Sequence, residues 1–271
     1  MYKNFFGLTE EPFNMTPDPR YLYFSRKHQE AFAALVYGVN YRKGFIEITG
    51  EIGAGKTTLC RRLLPEIASK ARTALIVNPG LSDVQLLGAI VEDFGIECKV
   101  RNRKGYYDAL NRFLLDVARQ GMTSVLIIDE AQNLGMKTLE QIRLLSNLET
   151  EREKLLQIIL VGQPELRETL RHPSLTQLRQ RIALRYHLTA LDAGETGEYV
   201  LWRLRVAGGS DKVTFTMDAI AAVYTLTQGV PRLINSLCDK AMLAAYVKET
   251  RTIDEKIIEE AVRETEGVMV G

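Results

Sequence analysis

Little in this sequence is extreme, and each shortage removes a class of protein. Cysteine is scarce: Cys60, Cys98 and Cys238 make an odd three with no C-x-x-C spacing. That argues against a disulfide framework or a zinc site and points to a reducing compartment. Neither sign of charge dominates, since 35 Lys+Arg meet 34 Asp+Glu for a formal +1. No global field therefore draws the chain to nucleic acid or anionic lipid, although a local patch still can. Long hydrophobic runs are missing too: 125–128 and 241–247 fall far short of the roughly 20 residues of a spanning helix. Charges interrupt the N-terminal MYKNFFGLTEEPF, which does not read as a signal peptide. What is left is average: 271 residues, 46% hydrophobic and 25% charged. One large globular domain or two modest ones fit, in a soluble cytoplasmic chain with no direct membrane insertion.

Organisation follows from periodicity. Residues 1–24 carry Pro12, Pro17 and Pro19 among seven aromatics; the prolines forbid a continuous helix, and the aromatics predict an ordered extended arm against the body. A helix is expected from Ser25. Short apolar strands are then expected at 45–49, 74–77, 125–128, 157–161 and 183–188, alternating with amphipathic helices. That alternation is the signature of an α/β fold, a doubly wound parallel sheet of five strands covered on both faces. After about Leu191 the strands stop, and helices are expected at 195–206, 218–228, 231–246 and 254–264. Ser82 with Gln85, and Thr252 with Glu255, read as capping boxes. The division is thus 1–43, the arm and first helix, as part of the body; 44–190, the nucleotide-binding core; and 191–271, a helical lid.

The octet Gly50-Glu51-Ile52-Gly53-Ala54-Gly55-Lys56-Thr57 matches G-x-x-x-x-G-K-[ST] between an expected strand and an expected helix. Glycines let successive backbone N–H groups turn inward around phosphate oxygens, and the helix aims its positive end at the same anion. Lys56 reaches the β- and γ-phosphates of ATP, and the Thr57 hydroxyl ligates Mg²⁺. Thr58 completes the binding set.

Strand 125–128 ends in Asp129-Glu130. A carboxylate at such a tip holds Mg²⁺, the role given to Asp129; a second orients and deprotonates the attacking water, the role given to Glu130. The doublet favours hydrolysis over phosphoryl transfer to a small acceptor. Gln163, at the end of the fourth strand, either polarises that water or is a polar residue where a strand meets solvent. Arg179, Arg181 and Arg185 flank the fifth strand's start. An arginine there reaches a neighbouring subunit's phosphates more readily than its own, as an arginine finger, or belongs to a solvated basic face; Arg181 is preferred. Arg232, in Gly229-Val230-Pro231-Arg232, projects from a helix's first turn and either meets the γ-phosphate or is an ordinary cap-region arginine. His28, His187 and Cys60 read as structural.

In this order the motifs resemble an AAA+ ATPase. The N-terminal FFGLTEEPFNMTPDPRYLYFSRKHQEAFAALVYGV, then ITGEIGAGKTTLCRRLL, LIIDEAQNL, LVGQPEL, LRQRI and GVPRLIN resemble the general secretion pathway protein A (ExeA) family over nearly the whole chain. The resemblance implies a P-loop ATPase core with a small helical lid. It makes Gln163, Arg181 and Arg232 sensor one, finger and sensor two, and places the arm, with Arg20, Tyr21 and Tyr23, near the adenine. It further implies an ATP-dependent homo-oligomer, ring or filament, that helps assemble a secretion or pilus apparatus through an envelope partner peripheral to the inner membrane. The long members continue into a membrane helix and a peptidoglycan-binding domain. This chain stops at Gly271 with neither, which marks it as an excised fragment or a stand-alone short form. Similar short ATPases serve transposition, so the alternative is a DNA-loaded transposition helper, with Arg101, Arg103 and Lys104 as candidate contacts.

Overall fold

The computed structural model describes residues 2–77, 79–149, 153–209 and 212–266; 267–271, assigned above to the lid, lie outside them. Five strands form one parallel sheet: β1 (Phe45–Gly50), β2 (Ala71–Ile76), β3 (Thr123–Ile128), β4 (Leu156–Gly162) and β5 (Ile182–Leu188). Their order is β2-β3-β4-β1-β5. Every residue of β1 and β4 is buried, as an apolar run covered by helices on both faces requires. The edge strands β2 and β5 mix buried, half-buried and exposed positions instead, which is why they read less clearly in the sequence.

The chain forms two compact units. One comprises Arg26–Glu51 and Leu59–Leu188 and holds the sheet. Its apolar core gathers Phe45, Leu126, Ile128, Ile158 and Leu160 from the strands with Leu86, Ile90, Leu110 and Ile142 from the helices. The Ser82 capping box forms as expected, both halves present.

The other unit comprises Met1–Ser25, Ile52–Thr58 and Thr189–Gly271. Its helices are Ala193–Val206, Met217–Thr227, Pro231–Val247 and Glu255–Glu266. Phe6, Leu8 and Phe13 of the arm share a core with Val200, Ile234, Cys238 and Ile258. The arm thus packs with the helical module, whereas the sequence grouped it with the sheet; its aromatics fill a core that helical periodicity alone does not close. Nor is the arm wholly extended, since Tyr2–Phe5 is a short helix.

The binding partner of this arm is Arg203, a buried guanidinium. Its Nε donates to the Pro12 carbonyl at 2.5 Å and its Nη2 to the Asn14 carbonyl at 2.9 Å, while its plane lies 4.3 Å from the centre of the Tyr21 ring. Prolines leave carbonyls without intrahelical donors, and a planar fork satisfies two of them at once.

Strands do not end at Leu191. Thr214–Phe215 and Thr252–Ile253 form a short parallel ladder. That ladder takes Thr252, so the expected Thr252–Glu255 box is replaced by Asp254, whose Oδ1 accepts from the Ile257 N–H at 3.0 Å. Among the described residues, no helix is long and apolar enough to cross a membrane.

Candidate nucleotide-binding site

The sheet sets the site's position. Thr49 of β1 stands beside Gly162 of β4, and Ile128 of β3 beside Leu160 of β4. The C-terminal tips of these three strands therefore lie on one edge. From β1 the chain crosses to β2 and from β4 to β5, at opposite sides of the sheet. Such a reversal leaves a crevice beyond the strand tips where open α/β sheets bind ligands.

Asp129, 1% exposed, extends β3 by one residue: its N–H donates to the Ile76 carbonyl at 2.8 Å. Its Oδ1 accepts the Glu130 N–H at 2.9 Å. Glu130 itself is left-handed, φ 53° and ψ 37°, a conformation costing a non-glycine residue about 1–3 kcal/mol. The turn throws its carboxylate back toward β4. There Oε2 accepts Gln132 Nε2 at 2.5 Å and Gln163 Nε2 at 3.2 Å. The structure thus brings the predicted pair Glu130 and Gln163 together. It adds Gln132, which sequence reasoning passed over. The only signal was its place in D-E-A-Q, and its contacts depend on the unforeseen left-handed turn.

Ile52–Thr58 of the phosphate loop belong to the same unit as the helical module. Gly53 and Gly55 have φ of 81° and 92°, where a β-carbon would strain the backbone. Helix Lys56–Ile67 starts at the loop's end, so the N–H groups of Lys56, Thr57 and Thr58 lie in a helix's first turn, whose positive end suits an anion. Ala54 and Lys56 are buried, and Glu51 and Ile52 exposed. The helical module meets this loop directly: a β-carbon on Gly53 would fall 2.4 Å from Cβ of Arg232. Pro231 occupies the first helical position and Val230 the cap, while the Leu191 N–H donates to the Gly229 carbonyl at 3.0 Å. Arg232 is exposed. In the same unit Tyr21 is 5% exposed; burial pushes its phenol up to about 12. Arg20 pairs with Glu10 and Asp18 at the surface, and the Tyr23 hydroxyl donates to Glu198 at 2.5 Å.

The three arginines near β5 separate. Arg185 Nε lies 3.3 Å from the buried Glu47 and its Nη2 donates to the Arg179 carbonyl, a structural tie. Arg179 is exposed. Arg181 closes helix Thr176–Arg181, and its Nη1 donates to Ser146 Oγ and Asn147 Oδ1, both at 2.6 Å. Since Ile182 pairs with Phe45 at the start of β1, Arg181 lies at the sheet edge opposite Asp129, Glu130 and Gln163.

Residues 39–170 match the AAA domain family. General secretion pathway protein A of Aeromonas hydrophila is 44% identical over 99% of this chain; the chain spans about half of that relative's length, 49%. The Aeropyrum pernix ORC2 protein, solved as ADPNP-ADP complexes, is 17% identical, with 88% of this chain and 67% of that one covered at a TM-score of 0.65. CDC6P of Pyrobaculum aerophilum is 16% identical, with 95% and 71% covered at 0.70. The two solved structures share the fold, residues 39–170 match the AAA domain family, and the chain is similar over nearly its whole length to General secretion pathway protein A.

Proposed function

We propose that this ATPase binds ATP with Mg²⁺, hydrolyses it through Glu130, and uses ATP-dependent oligomerisation to assemble a secretion or pilus apparatus. The Glu130 carboxylate carries the hydrolytic part: two amides aim it at the sheet edge from which β1 hands the chain to the phosphate loop.

In this reading Gly50, Glu51, Ile52, Gly53, Ala54 and Gly55 wrap the phosphates with backbone N–H groups, Lys56 neutralises the β- and γ-oxygens, and Thr58 adds an N–H from the first turn. Tyr21 stands on the adenine side. Thr57 and Asp129 offer the hard oxygen donors that Mg²⁺ takes. Among the described residues no three His, Cys, Asp or Glu side chains gather as a metal cluster. Mg²⁺ is commonly held by one or two protein oxygens together with phosphate and water. When bound, it supplies positive charge to the phosphate oxygens. Glu130 takes the proton of a water whose oxygen attacks the γ-phosphorus as its bond to the β–γ bridging oxygen breaks and ADP leaves, Gln163 orients that water, and Arg232 senses the γ-phosphate from the helical module. Arg181 serves a neighbouring subunit.

Glu130→Gln tests the chemistry. It is expected to bind ATP within about threefold of the parent and to lose about 100-fold or more in turnover; parental turnover would overturn the assignment. The assembly role draws on the curated relative. The rival reading, a DNA-loaded helper, draws on exposed Arg101, Arg103 and Lys104. A mobility shift with ATP at low salt that disappears at physiological salt favours the rival, because phosphate contacts weaken steeply with salt.

A further inference from the structure

Gln132 has no part in the reading above, yet its side chain joins two of the groups that reading uses. Its Nε2 donates to Glu130 Oε2 at 2.5 Å, and its Oε1 accepts the backbone N–H of Gln163 at 3.0 Å. A carboxamide offers a donor NH₂ and an acceptor C=O on one carbon. Both halves are in use here, between the end of β3 and the end of β4. The fold makes room for it: a β-carbon on Gly162 would fall 2.8 Å from Gln132 Oε1. The bridge also spans a strained residue. Glu130 is left-handed, and a conformation of that kind persists only where its surroundings hold it.

We infer that Gln132 is a positioning residue for ATP hydrolysis, holding the Glu130 carboxylate in register with Gln163 through its two-ended amide. This rests on the reading of Glu130 as the base. Gln132 acts through Glu130 and Gln163, so its loss disturbs the proton-accepting geometry and leaves the loop that binds ATP intact.

Two variants separate its halves. Gln132→Met keeps the length and removes both hydrogen bonds. Gln132→Glu keeps an acceptor for Gln163 and sets a like charge against Glu130. Three measurements are made on each: kcat, KM for ATP, and exchange of the Gln163 backbone amide by NMR in the nucleotide-free protein. For Gln132→Met, kcat is expected to fall about 100-fold, as misplacement of a reacting group does, with KM changed by less than about threefold. Its Gln163 amide exchanges faster, because the acceptor is gone. Gln132→Glu loses kcat at least as severely and retains Gln163 protection. In the background of Glu130→Gln, Gln132→Met costs nothing further, since the two act as one unit.

Parental kcat in either variant, while Glu130→Gln is inactive, overturns the bridge and leaves the base intact. Parental turnover in Glu130→Gln overturns the base itself. If Gln132→Met fails to fold, Gln132→Glu still decides: lost protection at Gln163 together with lost turnover denotes a collapsed turn and overturns the two-ended role.

Discussion

At the scale of single residues, the polar groups that matter are those whose surroundings make them expensive to keep. Glu47 sits in the middle of a buried strand, 3% exposed, with Arg185 at 3.3 Å and Arg167 at 3.8 Å. Burial raises its carboxyl above the ordinary 4.5, and the two arginines only partly offset this. The folded chain therefore holds the Glu47 proton more tightly than the unfolded chain. Its contribution to stability is fully present below 4.5 and is lost as pH rises through the folded value. Glu47→Gln removes that titration. Urea unfolding of variant and parent from pH 4 to pH 7 is expected to show the difference moving in the variant's favour as pH rises; a difference independent of pH would refute the account. Cys238 shows the same cause in a thiol: buried in the core of the helical module, it is pushed well above its ordinary value.

At the scale of elements, the sequence was informative wherever one periodicity ruled. Central strands, the phosphate loop and the Ser82 box were legible because apolar runs, glycine spacing and a local S-x-x-Q pattern each report a local cause. What stayed hidden depends on distant partners. The arm's attachment needs Arg203 and a core built largely after residue 189; the left-handed Glu130 needs β4 beside β3. The short ladder at Thr252 could not be seen because two residues carry no period, and it moved the last helix's cap by two positions. A box also passed unread at Asp192, whose Oδ1 accepts the Glu195 N–H at 2.8 Å while Glu195 Oε2 accepts the Asp192 N–H at 3.2 Å. This box starts the helix that carries Arg203. Asp192→Ala is expected to cost about 1 kcal/mol in urea unfolding, the usual loss on removing an N-cap. Asp192→Asn, which retains the acceptor, is expected to cost less than half of that. Equal losses in the two would mean that charge at the helix end, rather than the hydrogen bond, supplies the effect.

At the scale of the whole molecule, the sheet's polarity separates the residues that the proposal assigns to turnover. Asp129, Glu130 and Gln163 stand at the C-terminal tips of their strands, whereas Arg181 precedes the N-terminal end of β5, beside Phe45. A parallel strand of six or seven residues spans on the order of 20 Å, beyond the reach of an arginine side chain toward its own β3 and β4 tips. If Arg181 is a finger, it must act on another copy, and each active site is then composite, with the base from one subunit and the arginine from the next. The consequence is measurable by mixing. Arg181→Ala lacks the finger but keeps Glu130; Glu130→Gln lacks the base but keeps Arg181. Each alone is expected to turn over at about 1% of the parent or less, the scale of loss for such groups. Mixed in equal amounts, random assembly places an intact Arg181 against an intact Glu130 at one junction in four, so activity should return to about a quarter of the parent's. Mixtures no better than the average of the two variants, under conditions where oligomers form, would show that Arg181 acts within its own chain or not at all.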